Sequence, residues 1–141
     1  MNDFSTDFTS RVDLQKIIKE KGLNVLYTPE DPTEIMVSSS DVNRPGLAFA
    51  GFFVHFDPKR IQIIGNAETS YLNSLDAETK RERLTDFFTK NPVAVVITDG
   101  NTPDEILCEL AEYFEIPLND AHRAWCDAEA TALLYLKLQE L

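Results

Sequence analysis

The sequence predicts an α/β fold in which helices cover both faces of a mostly parallel or mixed sheet. Helix-like and strand-like segments alternate along the chain, which is typical of this fold class. The two strongest strand candidates, centred on Ile63 and Val95, are largely apolar without strict alternation. Strands of that kind belong to sheets that are buried on both faces. We therefore predict a single three-layer α/β/α domain.

The first half of the chain begins with a helix and continues with short strands. Leu14, Ile17 and Ile18 recur at helical spacing, and Gly22 supplies a stop signal. Asp13 is a candidate cap for the start of this helix. Strands are predicted over residues 23–27, 35–38 and 60–65.

The second half repeats the alternation. Asp76 is a candidate cap for a helix that presents Leu84 and Phe88 to the core. A strand over residues 92–98 follows, and Thr102 with Pro103 is predicted to start the next helix. The remaining predictions are a short strand at 116–118 and a helix from about residue 120 to the end.

Composition and charge exclude several classes of function. The 141 residues suffice for one domain, and the net charge of −11 disfavours binding to nucleic acid or to a membrane surface. The densest basic stretch, residues 80–83, is interrupted by an acid and is predicted to be a solvated helix face. With no signal peptide, no membrane span and only Cys108 and Cys126, we predict a cytoplasmic protein with reduced thiols.

The most informative run of the sequence is residues 41–53. It places Asp41, Asn43 and Arg44 before the Pro45-Gly46 corner and an apolar stretch that contains Gly51. Gly46 and Gly51 have the spacing of a phosphate-binding loop. However, Phe52-Phe53 replaces the lysine and hydroxyl residue that such a loop requires, and no clear strand leads into it. We interpret the run as structural, with a local ion pair between Asp41 and Arg44.

Other residues with possible chemistry give weaker signals. Asp99-Gly100 follows the central strand, at the end of the sheet where open α/β folds bind ligands, so it is a speculative ligand position. His122 and Cys126 lie one helical turn apart but are too few to form a metal site. His55 and Cys108 are predicted to be packed residues. We therefore predict neither a catalytic constellation nor a metal site in this chain.

Several segments together resemble the N-terminal domain of HPr kinase/phosphorylase, the bacterial enzyme that acts on a serine of the phosphocarrier protein HPr. The resemblance runs from about residue 12 to residue 118. The matching segments are residues 40–47, 50–53, 60–65, 68–72, 81–84, 92–98 and 116–118.

The resemblance implies a fold similar to the N-terminal domains of certain muramyl ligases, and a family that forms hexamers. It also implies that the chemistry belongs to a C-terminal P-loop domain outside these residues. ATP and magnesium would belong to that domain, so no cofactor is expected in this chain. Two departures stand out: Asp99 replaces a residue that is usually basic, and the segment from residue 119 differs from the usual polar stretch.

These considerations divide the chain into a flexible start (1–11), a family-like core (12–118) and a divergent C-terminal helix (119–141). Residues 130–141 are apolar nearly all round the predicted helix, which fits packing onto the chain's own sheet or onto a partner. The expected partners are a second copy or a kinase domain, and HPr only indirectly.

The leading hypothesis is a non-catalytic N-terminal module for assembly or regulation of an HPr kinase/phosphorylase. Two alternatives remain open. One is a domain that senses a sugar-phosphate or nucleotide-sugar, and the other is a stand-alone interaction protein that has lost its kinase half.

Overall fold

The computed structural model describes residues 11–39 and 41–121. The strands are Val12–Asp13 (β1), Asn24–Tyr27 (β2), Met36–Val37 (β3), Val42–Asn43 (β4), Ile61–Ile64 (β5), Val95–Ile97 (β6) and Leu118–Asp120 (β7). The α-helices are Leu14–Lys21 (α1), Gly46–Phe49 (α2), Asn66–Asn73 (α3), Ala77–Thr89 (α4) and Glu105–Tyr113 (α5), and Pro32–Glu34 forms a 3₁₀ turn.

The central sheet has five strands in the order β2-β7-β6-β5-β4. The four strands β4, β5, β6 and β7 run parallel, while β2 pairs with β7 in the antiparallel direction. Strands β1 and β3 form a separate antiparallel pair. The predicted α/β class with a mixed sheet is confirmed.

Two hydrophobic cores lie on the two faces of this sheet. Helix α1 packs Leu14 and Ile17 against one face, which includes Ile63 of β5. Helices α3, α4 and α5 cover the other face, to which the next residue, Ile64, contributes. Because both faces are covered, successive residues of β5 and β6 are buried, and this explains why these strands read as continuous apolar runs.

Three of the predicted helix ends are found as expected. Asp13 accepts a hydrogen bond from the backbone N–H of Lys16 (3.3 Å), and Gly22 ends α1 in the left-handed conformation at φ 64°. Asp76 caps α4 by accepting from the backbone N–H of Thr79 at 2.7 Å.

Helix α5 starts later than predicted. Asp104 is the capping residue, because its Oδ1 accepts hydrogen bonds from the backbone N–H groups of Ile106 (2.8 Å) and Leu107 (3.3 Å). Thr102 and Pro103 therefore precede the helix. A carboxylate at the cap satisfies two of the free N–H groups of the first turn, which explains why it wins over the threonine hydroxyl.

Strand β7 is displaced by two residues from the predicted range. The backbone N–H of Ile116 still bonds to the carbonyl of Ala111 at the end of α5, and Pro117 has no N–H to contribute to a strand. The ladder consequently begins at Leu118 and includes Asp120, where a helix had been predicted to begin. His122 and Cys126, the apolar segment 130–141 and residues 1–10 of the predicted flexible start lie outside the described residues.

The basic stretch on α4 is only partly a solvated face: Arg81 and Glu82 are exposed, but its basic side chains also bind neighbouring elements. Lys80 Nζ lies 2.6 Å from Asp104 Oδ2, and both side chains are less than one-fifth exposed. Arg81 pairs with Glu109 of α5 at 2.8 Å. Arg83 donates to the carbonyl oxygen of Phe49 at 3.1 Å. These three side chains extend from the sides of α4 and bind groups of α5, its capping residue and α2.

Candidate functional site

The polar groups of most interest gather where the parallel strands end. Arg44 follows β4, Gly65 follows β5, and Thr98 with Asp99 follows β6. The carboxyl ends of parallel strands lie at the same end of a sheet, and open α/β folds bind ligands beside these strand ends. Asp99-Gly100 thus has the predicted location, while its role in ligand binding stays a prediction.

A buried carboxylate connects two of these strand ends. Glu68, the third residue of α3, is only 5% exposed. Its Oε1 accepts a hydrogen bond from the backbone N–H of Gly65 (2.8 Å) and one from Arg44 Nη1 (3.2 Å). An acid at this helix position commonly reaches back to the N–H of the capping residue. The two donors compensate the carboxylate for the loss of water.

Position 65 requires glycine because there is no room for a side chain, and not because of its backbone conformation. Its φ of −109° is open to any residue. A Cβ atom there would lie 2.7 Å from Arg44 Nη1, 3.0 Å from Asp99 Oδ2 and 3.3 Å from Thr98 Oγ1. The guanidinium and the Asp99 carboxylate therefore converge on the position where a side chain would begin.

A tight turn holds Asp99 in this position. Asp99 and Gly100 adopt positive φ values of 64° and 69°, and the N–H of Asn101 bonds to the carbonyl of Thr98 at 3.3 Å. Asp99 Oδ2 accepts from Thr98 Oγ1 at 3.1 Å. Asn101 Nδ2 donates to Asn66 Oδ1 at 3.0 Å, which ties the turn to the start of α3. The turn thus fixes the backbone of Asp99, and the Thr98 hydroxyl holds its carboxylate.

The structure corrects two predictions for residues 41–53. Within the described residues Asp41 pairs with Arg60 (3.6 Å) and Arg44 with Glu68, so the predicted local ion pair does not form. A strand, β4, does lead into the segment between Gly46 and Gly51. It is two residues long and pairs with β5 in the parallel direction. A strand of two residues is too short to show a hydrophobic periodicity in the sequence. The missing lysine and hydroxyl group at Phe52-Phe53 still argue against a phosphate loop.

The other signature residues fix the path of the chain. Asn43 Nδ2 donates to Gln62 Oε1 at 2.8 Å, and Gln62 is fully buried in β5. Pro45 and Gly46 turn the chain from β4 into α2, and Gly51 leaves this short helix at φ 100°, a value that favours glycine. These contacts support the structural interpretation of the run.

The apolar part of the run divides into a buried and an exposed set. Phe49 is fully buried and packs edge-on against Phe87 of α4, with 5.0 Å between ring centroids. Leu47, Phe52 and Val54 are 70%, 65% and 84% exposed. We name these three residues the apolar loop surface. They line a shallow cavity of about 100 Å³ together with Arg44 and His55.

Two further predictions concern single residues. His55 is exposed, so its prediction as a packed residue is wrong. Cys108 is half-buried against the second core. Burial and nearby carboxylates, Asp104 foremost, raise the pKa of the Cys108 thiol, which disfavours the reactive thiolate form.

The sequence did not indicate a larger cleft at the opposite end of the sheet, where the parallel strands begin. Its volume is about 330 Å³. Pro29, Pro58, Pro92 and Pro117 line it, and three of these prolines stand shortly before β5, β6 and β7. Prolines shortly before three strands were the signal that could have revealed it.

In the described part of the chain there is no cluster of three or more potential metal ligands. The same residues contain no helix with the length and apolarity to cross a bilayer.

Comparison with solved structures identifies a similar fold. The CBS and DRTGG domains of the regulatory region of a Clostridium perfringens pyrophosphatase, solved with the activator diadenosine tetraphosphate, match with a TM-score of 0.58. The match covers 94% of this chain and 49% of that one, at 15% sequence identity. At this identity the similarity concerns the fold alone.

Comparison with curated proteins gives closer matches. The HPr kinase/phosphorylase of Clostridium perfringens is 42% identical over 100 residues, which are 71% of this chain and 32% of that protein. The HPr kinase/phosphorylase of Alkaliphilus metalliredigens is 37% identical over 103 residues, or 72% and 33%. The chain thus spans about a third of the length of these relatives. A family model described as HPr Serine kinase N terminus matches residues 12–130, which extends past the predicted limit at residue 118. The chain therefore belongs to the HPr serine kinase N-terminal domain family.

Proposed function

We propose that this chain is a non-catalytic module that supports the assembly or regulation of an HPr kinase/phosphorylase. The observation that carries the proposal is the apolar loop surface. Leu47, Phe52 and Val54 are each at least 65% exposed, although they belong to a segment that is otherwise well anchored. Large apolar side chains grouped on a surface mark sites of protein association.

The anchoring makes this surface suitable for docking. Phe49 fixes α2 to the core, and Arg44 is held by Glu68 at the start of the same segment. A backbone that is ordered in advance avoids part of the entropic cost of association. Each large apolar side chain that becomes fully buried contributes about 1.5 to 3 kcal/mol.

The proposed partner is the remainder of the kinase polypeptide. In the curated relatives, about two thirds of the chain lies outside the part that matches this module. We propose that ATP and magnesium bind in that remainder, that HPr meets this module only indirectly, and that the assembled protein is cytoplasmic.

A chimera tests the proposal. This chain replaces the matching N-terminal third of the Clostridium perfringens relative, and the oligomeric mass and the kinase activity towards HPr are measured. The test variant replaces Leu47, Phe52 and Val54 together by serine, and the control variant replaces Tyr113 by serine. Tyr113 is 77% exposed on α5, so it matches the test residues in exposure.

We expect the test variant to lose oligomeric mass, kinase activity or both, while the control retains the values of the chimera. All variants should melt at similar temperatures because the altered side chains are exposed. Equal mass and activity in the test and control variants would refute the proposal.

A second candidate function is the sensing of a small anion beside Arg44. The observation in its favour is the guanidinium at the strand ends, where the Arg44 side chain is 37% exposed. Glu68 already uses this cation, and Asp99 adds another negative charge nearby, so we rank this candidate second. A thermal-shift screen with sugar phosphates, uridine nucleotides and diadenosine tetraphosphate tests it. A ligand at a hundred times its Kd would add about 2.7 kcal/mol of stability, and the first proposal expects no such shift.

A further inference from the structure

A cleft of about 330 Å³ lies at the end of the sheet where the parallel strands begin. One wall comes from residues 29–38, which follow β2, and the other from the residues just before β5, β6 and β7. Backbone hydrogen bonds join the second wall into one surface. The N–H of Val93 donates to the carbonyl of Pro58 at 2.8 Å, and the N–H of Val95 donates to that of Pro117 at 2.9 Å. The volume of the cleft falls within the range of small-molecule sites, about 300 to 1,000 Å³.

The lining of the cleft is mostly apolar. Pro92, Ile116 and Pro117 line the second wall and are themselves buried. On the first wall Ile35 is partly buried and Met36 is 43% exposed. Proline side chains are rigid, so the prolines lose little conformational freedom when a ligand covers them. The cleft therefore suits a ligand with an apolar body.

Charged residues of opposite sign lie towards the two ends of the cleft. Glu30 follows β2 and Glu115 precedes β7, and these two strands are neighbours in the sheet. Lys59 precedes β5, which is separated from β7 by β6. Neighbouring strands lie about 4.8 Å apart, so the entries to β5 and β7 are about 10 Å apart. The cleft is thus negative at its β2 and β7 end and positive at its β5 end.

The three charged side chains are available to a ligand. All are exposed, and within residues 11–39 and 41–121 none of them forms a side-chain hydrogen bond or an ion pair. Glu115 adopts a φ of 58°, a conformation in which glycine or asparagine is usual after a helix. Partial burial and the charges of Glu115 and Glu112 raise the pKa of Tyr27, so the negative potential extends beyond the cleft. One end therefore attracts a cation and the other an anion.

We propose that the cleft binds a zwitterionic dipeptide of apolar residues, with its terminal ammonium at Glu30 and Glu115 and its terminal carboxylate at Lys59. An extended chain spans at most about 3.5 Å per residue, so the two termini of a dipeptide lie about 7 Å apart. The flexible lysine and glutamate side chains close the remaining distance. A free amino acid carries both charges on one carbon and cannot reach both ends. The cleft shares no lining residue with the cavity of the apolar loop surface, so the inference does not depend on the proposed function.

The probe for the test is leucyl-leucine, titrated into the chain while the backbone amide signals are followed by NMR. Three comparison ligands are N-acetyl-leucyl-leucine, leucyl-leucine amide and free leucine. The first two each lack one terminal charge and keep the apolar body. We expect each of them to bind about fivefold more weakly than leucyl-leucine, because a partly exposed ion pair contributes modestly, and we expect free leucine not to bind measurably. The amides of Lys59 and Glu115 should shift, while those of Gly65 and Asp99 at the opposite end of the sheet should not.

A lysine variant and its control assign the carboxylate end of the ligand. Lys59→Gln removes the cation from the cleft. Lys19→Gln makes the same change in the last turn of α1, which leads into the start of β2 at the other end of the sheet. We expect Lys59→Gln to bind leucyl-leucine and its amide equally, while Lys19→Gln keeps the fivefold difference between them.

A pair of glutamate variants assigns the ammonium end. Glu30→Gln combined with Glu115→Gln removes the two carboxylates from the cleft, and Glu78→Gln combined with Glu82→Gln makes the matched change on the exposed side of α4. We expect the first combination to bind leucyl-leucine and its acetyl derivative equally, and the second to keep the fivefold difference. All these side chains are exposed, so the variants should fold like the parent chain.

Three results would overturn the inference. The first is the absence of saturable binding of leucyl-leucine to the unaltered chain. The second is equal affinity for leucyl-leucine and both of its blocked forms, which would leave only apolar attraction. The third is an equal loss of discrimination in the cleft variants and in their controls, which would place the ligand elsewhere on the molecule.

Discussion

The two borders of the sheet are built in opposite ways. Strand β4 has two residues and β2 has four, yet the shorter strand is the better anchored. Its neighbours Arg44 and Phe49 contact α3 and α4, whereas Val25 and Leu26 of β2 remain exposed. The comparison shows that a two-residue edge strand can be tied to the helices through the side chains that follow it, while two side chains of a longer edge strand stay exposed.

The largest expected effect tests the anchoring of the β4 border. Phe49→Ala removes a fully buried ring that packs on Phe87, and we expect a loss of about 3 to 5 kcal/mol in the free energy of unfolding. Leu47→Ala, two residues earlier on the same helix, changes a side chain that is 70% exposed. We expect its effect to stay within about 0.5 kcal/mol. Urea unfolding measures both values, and similar losses would contradict the division into a buried and an exposed set.

An intermediate effect is expected at Gly65. A Cβ atom at position 65 would lie 2.7 Å from Arg44 Nη1 and 3.0 Å from Asp99 Oδ2, so it must displace both groups. Moving Arg44 would also strain its hydrogen bond to Glu68. We therefore expect Gly65→Ala to cost about 1 to 3 kcal/mol of stability. Gly46→Ala is the control, since no atom lies within 4 Å of the Cβ position and the site is the first residue of α2. Thermal unfolding should leave this control unchanged or more stable, and equal losses would show that the cluster tolerates a side chain.

The smallest effect is expected at the β2 border. Val25→Ala removes a side chain that is 44% exposed, so we expect a loss of less than about 1 kcal/mol. Native-state hydrogen exchange provides a second measurement. The amide groups of β2 should exchange through openings of lower free energy than those of β6, which is buried on both faces. Equal protection of the two strands would remove the contrast between the borders.

Local patterns were sufficient for much of the fold. The apolar runs around Ile63 and Val95 predicted buried strands, and Asp13 and Asp76 predicted helix starts, because each signal lies within a few residues of the feature it specifies. Local patterns did not predict where α5 and β7 begin. The start of α5 was decided by Asp104, which caps the helix in place of Thr102. The start of β7 was decided by the hydrogen bond from the Ile116 N–H to the Ala111 carbonyl, which still belongs to the end of α5. The two-residue strand β4 gave no periodic signal at all.

The sequence by itself determined the family, the α/β class and the importance of residues 41–53. Only the tertiary structure decided what those residues contact. Arg44 and Glu68 are 24 positions apart and Asp41 and Arg60 are 19 apart, so the partner of each charge depends on how the strands align. The crowding at Gly65 and the exposure of β2 likewise arise from strand order, because they depend on which segments lie beside each other in space.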